Sequence, residues 1–223
     1  MKSLNKPTPK VYKFIDGCPT EQSRLQSNPD LINHLFHTKE GDSFELEESI
    51  TLFPIETPGH LSDHLCLLMK ERQGNTKFFK YSIFTGDHII GAKSTFFMDY
   101  PAYFKSLLKT KDIIEKFQVK TLYGAHSVSL YPKDVGLDAS QKVNAYIKRR
   151  TKKDDKIEKL ALKLSQNGPF DISEFYEAQS EEKMKKSKSK TNSFNKDYDD
   201  YFKKMLARQL EKLISDGKFT LEN

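Results

Sequence analysis

FTGDHIIG, from Phe84 to Gly91, is the most informative stretch of this chain. A strand-like run ends there in a glycine turn that presents an acidic side chain. TPGHLSDH, from Thr57 to His64, and LYGAHS, from Leu122 to Ser127, repeat the pattern with a histidine. Strand ends that gather such side chains suit a metal site, because rigid strands fix the distances between ligands and glycine lets the backbone bend close to the ion.

The residues around these turns predict alternating strands and helices. Residues 44–97 read as strands, with a hairpin that turns at Gly74 and Asn75. A helix follows over residues 101–117, where apolar side chains recur at helical spacing, and residues 118–123 return to a strand. This order of strand, helix and strand predicts an α/β domain.

The last third of the chain is predicted to be helical. An apolar stripe continues from Ala139 to Leu164, a short helix begins after Asp171 as its candidate N-cap, and a strongly amphipathic helix ends at Gly217. Together with a short strand at residues 218–221, these helices predict a winged-helix or helix-turn-helix module.

The chain is accordingly divided into a domain over residues 1–136 and a helical domain over residues 137–223. A flexible, lysine-rich insert at residues 179–197 interrupts the second domain. Its lysines are candidates for binding RNA phosphates, with a solvated loop as the equal alternative. They are Lys183, Lys185, Lys186, Lys188 and Lys190.

Composition excludes several classes of protein. The chain has 223 residues, a net charge of +6, 16 Phe and 10 Tyr, and a chain so rich in aromatic residues is not wholly disordered. It lacks the run of about 18 apolar residues that a membrane span needs, and we expect neither a secretory signal nor a disulfide framework. We expect an intracellular protein without a membrane partner. Its basic charge permits contact with nucleic acid.

The glycine turns and the tail resemble the later motifs of the metallo-β-lactamase superfamily in order and spacing. TGDHIIG, DYPAYFKSLL and KDIIEKFQVKTLYGAHS follow the pattern of its glyoxalase II-like branch, as does the tail from KVNAYIKRR to LEKLISDGKF. The resemblance extends from about Val11 onward. It implies the C-terminal part of an αββα sandwich over residues 1–136, followed by a winged-helix-like domain, as in metal-dependent endoribonucleases of that branch.

The resemblance also implies roles for single residues. His60 matches a histidine ligand of the first zinc ion, Asp87 the catalytic aspartate that bridges two zinc ions, and His126 the last histidine ligand. Residues 124–127 read Gly-Ala-His-Ser, where the family has Pro-Gly-His-Gly. His64 is a candidate for orienting the ligands through a hydrogen bond, with a structural hydrogen bond at the turn as the alternative.

The superfamily's defining motif, His-x-His-x-Asp-His, is absent from this sequence. His34 and His37 have the wrong spacing for it and are interpreted as loop or edge-strand residues. His60, Asp87 and His126 supply two ligands to each zinc ion, whereas a catalytic zinc ion takes three. We therefore expect a chain that begins after this motif, lacks about the first third of such a protein, and is impaired as a hydrolase by itself.

Four further side chains have structural alternatives. Cys66 lies in an apolar run and is interpreted as a buried thiol. His88 follows Asp87 and is expected to point away from the site. Tyr123 and Phe97 are candidates for stacking on a base, with packing in the protein as the more frequent alternative.

Three functions fit these residues. By resemblance, the first is an endoribonuclease that cleaves single-stranded RNA through zinc-activated water, with a thioester or other ester as the alternative substrate. The expected location is the cytoplasm or the mitochondrial matrix, and only the resemblance implies the matrix. The second is an inactive remnant that binds RNA or protein. The third is a structural subunit, in which a homodimer or a complementing protein covers open strand edges.

Overall fold

A six-stranded sheet forms the centre of the molecule. The computed structural model describes residues 10–14, 35–90, 95–126, 137–186 and 196–220. The strands in chain order are β1 (Val11–Lys13), β2 (Leu35–His37), β3 (Phe44–Glu47), β4 (Ile50–Glu56), β5 (Leu65–Arg72), β6 (Phe79–Gly86), β7 (Thr121–Gly124) and β8 (Leu137–Asp138). Strands β3 to β8 lie side by side in that order, and β1 and β2 form a separate parallel pair.

The described residues also form four helices: α1 (Tyr100–Lys116), α2 (Ala139–Ser165), α3 (Ile172–Lys186) and α4 (Lys196–Ser215). Helix α1 connects β6 to β7, and these two strands are therefore parallel, whereas the other neighbours in the large sheet are antiparallel. Asp99 caps α1 by accepting a hydrogen bond from the Ala102 amide at 2.9 Å. Asp171 caps α3 in the same way, as its position before the apolar residues predicted.

The hydrophobic residues form two clusters. The first lies between one face of the sheet and helix α1, where alternate strand residues such as Cys66, Leu68 and Ile83 are buried. The second lies among α2, α3 and α4 and includes Leu160 and Phe175. Helix α2 contributes to both clusters, because its first half packs towards the sheet and its second half towards α3 and α4.

The structure confirms a mixed α/β fold. The hairpin of β5 and β6, helix α1 and the return to strand β7 follow the predicted order. Cys66 is buried, as expected. Residues 218–220 form a turn and coil instead of the strand expected over 218–221. The described tail is therefore helical, and its assignment as a winged helix and the domain boundary at 136 stay predictions.

Helices extend into the lysine-rich insert that was predicted to be flexible over residues 179–197, since α3 extends to Lys186 and α4 begins at Lys196. The side chains of the five lysines predicted to bind RNA (Lys183, Lys185, Lys186, Lys188 and Lys190) lie outside the described residues. Within the part of the chain that is described, no helix has the length and apolar character needed to cross a membrane.

Candidate metal centre

The ends of β6 and β7 bring Asp87 and His126 together. Gly86 pairs with Gly124 in the parallel ladder, and the Ala125 amide donates a hydrogen bond to the Gly86 carbonyl at 3.1 Å. The carboxyl ends of parallel strands lie at the same edge of a sheet. Two residues that are 39 positions apart in the chain therefore project from one edge.

His60 reaches the same edge from the turn between β4 and β5. The turn follows Pro58 and Gly59, and Gly59 has φ +127°, a conformation that favours glycine. An added Cβ at Gly59 would lie 2.2 Å from the Tyr103 backbone nitrogen. The turn is therefore seated directly on the first turns of helix α1, which sets the position of His60.

The Asp87 carboxylate lies between two histidine rings. Its Oδ1 is 2.8 Å from His126 Nε2, and its Oδ2 is 3.5 Å from His60 Nε2. Oδ1 is buried and has no hydrogen-bond partner, although His126 is so close. His126 Nε2 and Asp87 Oδ1 are thus close together but are not aligned for a hydrogen bond. This arrangement suits two atoms that donate electron pairs to the same cation.

A hydrogen bond to the backbone orients the His60 ring. Its Nδ1 lies 2.8 Å from the Phe96 carbonyl oxygen, which only accepts hydrogen bonds, so Nδ1 carries the proton. In the neutral ring Nε2 then keeps its lone pair, and this is the atom that faces Asp87. Histidine ligands of metals are commonly oriented in this way by a carbonyl on the other ring nitrogen.

His64 lies beside His60 but has its own partner. Its Nδ1 is 2.8 Å from the Thr57 hydroxyl oxygen, and the two imidazole rings meet edge to face at 5.9 Å. Burial lowers the pKa of His64 to about 4. The bond to Thr57 spans the turn, as the structural alternative expected, and the ring contact with His60 keeps an orienting role as a prediction.

His88 is completely buried beneath this turn. Both of its ring nitrogens lack hydrogen-bond partners, and the ring lies 5.9 Å from His64 and 5.1 Å from Tyr103. Burial lowers the pKa of His88 to about 3. Its place directly after Asp87 predicted that it points away from the site and carried no signal that it would lie next to His64.

The aromatic candidates divide between core and surface. Phe97 is completely buried, which is the packing alternative. Tyr123 is half-buried and stacks on Phe84 with ring centroids 5.1 Å apart. Phe96 was not predicted from the sequence; its carbonyl orients His60, and its ring lies 6.3 Å from the His60 ring. Nothing in the spacing of the motifs distinguishes Phe96 from Phe97.

Comparisons with known proteins agree with this architecture. No family model matches the chain. It is 33% identical over 120 residues to the beta-lactamase-like protein 2 homologue of Caenorhabditis elegans, covering 53% of this chain and 35% of that protein. It is 33% identical over 95 residues to an atrochrysone carboxyl ACP thioesterase of Aspergillus chevalieri, covering 35% of this chain and 28% of that protein.

A solved structure extends the likeness to the fold. The beta-lactamase domain protein from Burkholderia ambifaria superposes with a TM-score of 0.58 and 11% identity, covering 96% of this chain and 61% of that one. The curated relatives and this fold support the metallo-β-lactamase superfamily. This confirms the predicted superfamily. The chain spans about a third of the length of these two curated relatives.

The residues of this metallo-β-lactamase-type chain fit a metal in chemistry and direction. Two imidazole nitrogens and a carboxylate are common zinc donors, and the buried Oδ1 of Asp87 has no other partner. They fall short in number, because the described residues contain no group of three or more His, Cys, Asp or Glu side chains placed to hold one ion. Ligation by His60, Asp87 and His126 therefore stays a prediction.

Proposed function

We propose that this chain forms part of a zinc-dependent hydrolase that cleaves phosphodiester bonds in single-stranded RNA. One observation carries the proposal: His60 Nε2 and His126 Nε2 face the two oxygens of Asp87, and Oδ1 is buried without a hydrogen bond. A bound zinc ion would supply positive charge that lowers the pKa of a water molecule and stabilises a leaving oxygen.

The chain's own residues prepare this chemistry by placing donors. Asp87 offers an oxygen to each side, so that one carboxylate serves two cation positions. His60 is held by its bond to the Phe96 carbonyl, which reduces the entropy lost when Nε2 binds a cation. The carboxylate also contributes a negative charge that attracts a cation to this edge of the sheet.

The missing ligands are part of the proposal. His60 with Asp87, and Asp87 with His126, provide two ligands to each ion, and a catalytic zinc ion takes three. A histidine-rich segment of a longer chain, of a second copy or of a complementing protein would supply the others. We also propose a winged-helix-like arrangement for α2 to α4, and a location in the mitochondrial matrix or cytoplasm.

A cleavage assay tests this function. Purified protein of native length is incubated with end-labelled single-stranded RNA, with added zinc or with a chelator. We expect cleavage that needs the metal and is abolished in Asp87→Asn, whereas Asp112→Asn, at an exposed position of α1, cleaves normally. Cleavage that persists in the chelator, or equally in Asp87→Asn, contradicts the proposal.

A thioester is the second candidate substrate, because several relatives are named thioesterases. The same metal site acts on either substrate, since both reactions need an activated water and a stabilised leaving group. The assay therefore includes an acyl thioester beside the RNA. Metal-dependent hydrolysis of the thioester without cleavage of RNA favours this candidate over the endoribonuclease.

An inactive protein that binds RNA is the third candidate, and the shortage of ligands favours it. Such a protein would bind RNA through its basic charge, and its affinity would fall steeply with salt concentration. Salt-dependent binding with no cleavage of either substrate, by the chain at its native length, identifies this candidate.

A further inference from the structure

Aromatic rings form a continuous series from the candidate metal centre to the solvent. The His60 and Phe96 rings are nearly perpendicular, with centroids 6.3 Å apart. Phe96 and Tyr201 are stacked, with centroids 5.6 Å apart and an interplanar angle of 25°. Tyr201 then meets Phe202 edge to face at 5.7 Å. Helix α4 thus carries aromatic side chains to the edge of the site.

This arrangement is held in place by a second contact of the same helix. Arg208 lies two turns after Tyr201, its guanidinium is 5.3 Å from the Phe96 ring centroid, and its Nη1 donates a hydrogen bond to the Phe97 carbonyl at 2.8 Å. Phe96 is therefore contacted by a stacked ring and by a cation from α4. The same residue accepts the hydrogen bond that orients His60.

The outer part of the series remains open to solvent. Tyr201 is 42% exposed and Phe202 is 39% exposed. Large aromatic side chains usually gain free energy by burial, and an exposed ring on a rigid support is suited to stacking with a planar ligand. One ring, that of Phe96, separates Tyr201 from the His60 ring, so a ligand stacked at Tyr201 lies beside the metal centre.

We propose that the Phe96–Tyr201 stack is a subsite that binds a nucleobase of single-stranded RNA beside the candidate metal centre. The inference rests on the proposed function for its choice of RNA, and it adds the surface that holds the substrate. Stacking on an aromatic ring is tolerant of base identity, since every base has a π face. This subsite therefore predicts binding with weak sequence preference.

The test measures binding in the absence of cleavage. Fluorescence anisotropy of the full chain is recorded with a short labelled single-stranded RNA, in a chelator at fixed salt, and with a matched strand that contains abasic positions. The variants are Tyr201→Ala, which removes the ring, and Tyr201→Phe, which keeps it. Phe78→Ala is the control, because Phe78 is 77% exposed at the hairpin turn, at the opposite end of β6 from Asp87.

We expect Tyr201→Ala to weaken RNA binding about tenfold, the loss typical of one stacked base. Tyr201→Phe and Phe78→Ala should bind as the unmodified chain does. The unmodified chain should bind the abasic strand more weakly than the RNA that contains all its bases. Tyr201→Ala should bind the two strands equally. Unchanged affinity in Tyr201→Ala, or equal affinity for the abasic strand, overturns the inference, as does a chain that binds no RNA.

This experiment separates the inference from the proposed function. Loss of binding in Tyr201→Ala, together with no cleavage in the zinc assay, supports the subsite and contradicts the endoribonuclease. Zinc-dependent cleavage that is unaffected by Tyr201→Ala supports the endoribonuclease and overturns the subsite. Far-ultraviolet circular dichroism of each variant verifies that α4 remains folded, which alanine favours as a good helix former.

Discussion

Asp87 and Asp154 are two carboxylates in contrasting surroundings. Asp154 is buried between α2 and its neighbours: its Oδ1 accepts a 2.6 Å hydrogen bond from the Tyr100 hydroxyl, and Lys212 Nζ lies 3.7 Å from its Oδ2. Asp87 faces two histidine nitrogens, and its buried Oδ1 accepts no hydrogen bond. A carboxylate that joins helices thus has its donor, whereas a carboxylate prepared for a cation keeps an oxygen available.

The two carboxylates also differ in how far burial disfavours their charged form. Burial raises the pKa of Asp154, and the hydrogen bond from Tyr100 and the charge of Lys212 act against that increase. The side chain of Asp154 is 10% exposed, whereas that of Asp87 is 35% exposed. Water and ions reach Asp87 from the open side, so the difference in access matches the difference in hydrogen bonding.

Substituting Gly59 with alanine should have the largest effect on stability, because Gly59 lies where the turn that carries His60 packs against helix α1. The new Cβ would lie 2.2 Å from the Tyr103 nitrogen, on the helix that also carries Tyr100, and an alanine would be strained at φ +127°. We expect a loss of about 3 kcal/mol or more in the free energy of unfolding, measured by urea denaturation.

Gly74→Ala is the matched control for that substitution. Gly74 has φ +56° at the hairpin turn, and an added Cβ there would meet nothing within 4 Å. It should cost only about 1 kcal/mol, the penalty of the left-handed conformation itself. Equal losses for Gly59→Ala and Gly74→Ala would show that the seat of the His60 turn on α1 is unimportant.

Neutralising each carboxylate separates a ligand from a structural acid. Asp87→Asn should reduce zinc affinity by about 100-fold. Loss of a residue that only hydrogen-bonds a metal ligand costs about 10- to 100-fold in affinity, and loss of a ligand itself should cost at least the upper value. Asp154→Asn should leave zinc affinity unchanged, because Asp154 contacts Tyr100 and Lys212 instead. Isothermal titration calorimetry measures both affinities. Equal losses for the two variants would remove the distinction between the carboxylates.

Tyr100→Phe sharpens the comparison from the structural side. It removes the 2.6 Å donor to Asp154 and leaves a buried carboxylate oxygen without that partner. The expected loss in the free energy of unfolding is about 1–3 kcal/mol, with zinc affinity unchanged. Thermal and urea denaturation measure the first quantity. A variant as stable as the unmodified chain would contradict the structural role given to Asp154.

The buried histidines give an effect on stability that depends on pH. An unfolded histidine has a pKa of about 6.5, and burial lowers the pKa of His88 to about 3 and that of His64 to about 4. The unfolded chain binds more protons between these values. Stability should therefore fall as pH decreases below about 6.5, by at most about 1.4 kcal/mol per pH unit for each ring.

His88→Leu tests this pH dependence, because it removes a ring whose two nitrogens have no hydrogen-bond partner. Urea denaturation at pH 7 and pH 5 should show a smaller loss of stability on acidification in the variant than in the unmodified chain. An identical loss in both proteins would mean that His88 does not contribute to the pH dependence.

Local sequence patterns predicted much of the fold. The glycine turns after β4, β6 and β7, the hairpin at Gly74 and the cap at Asp171 follow from conformational preferences of a few neighbouring residues. The strand expected at residues 218–221 did not form in the described part, 218–220. A short strand depends on a partner strand for its hydrogen bonds, and a local pattern contains no information about that partner.

The sequence by itself predicted the order of strands and helices from β3 to β7 and, through the resemblance of its motifs, the superfamily. It also singled out His60, Asp87 and His126, whose ligation of a metal stays a prediction. Only the tertiary structure decided how they meet. Parallel pairing of β6 with β7 places Asp87 beside His126, and the Phe96 carbonyl orients His60 from 36 residues away. It also decided that α4 reaches this edge, through a bond from Arg208 to a carbonyl 111 residues earlier. Such contacts depend on how whole elements pack, because atoms distant in the chain are brought together only when the hydrophobic faces between them are buried.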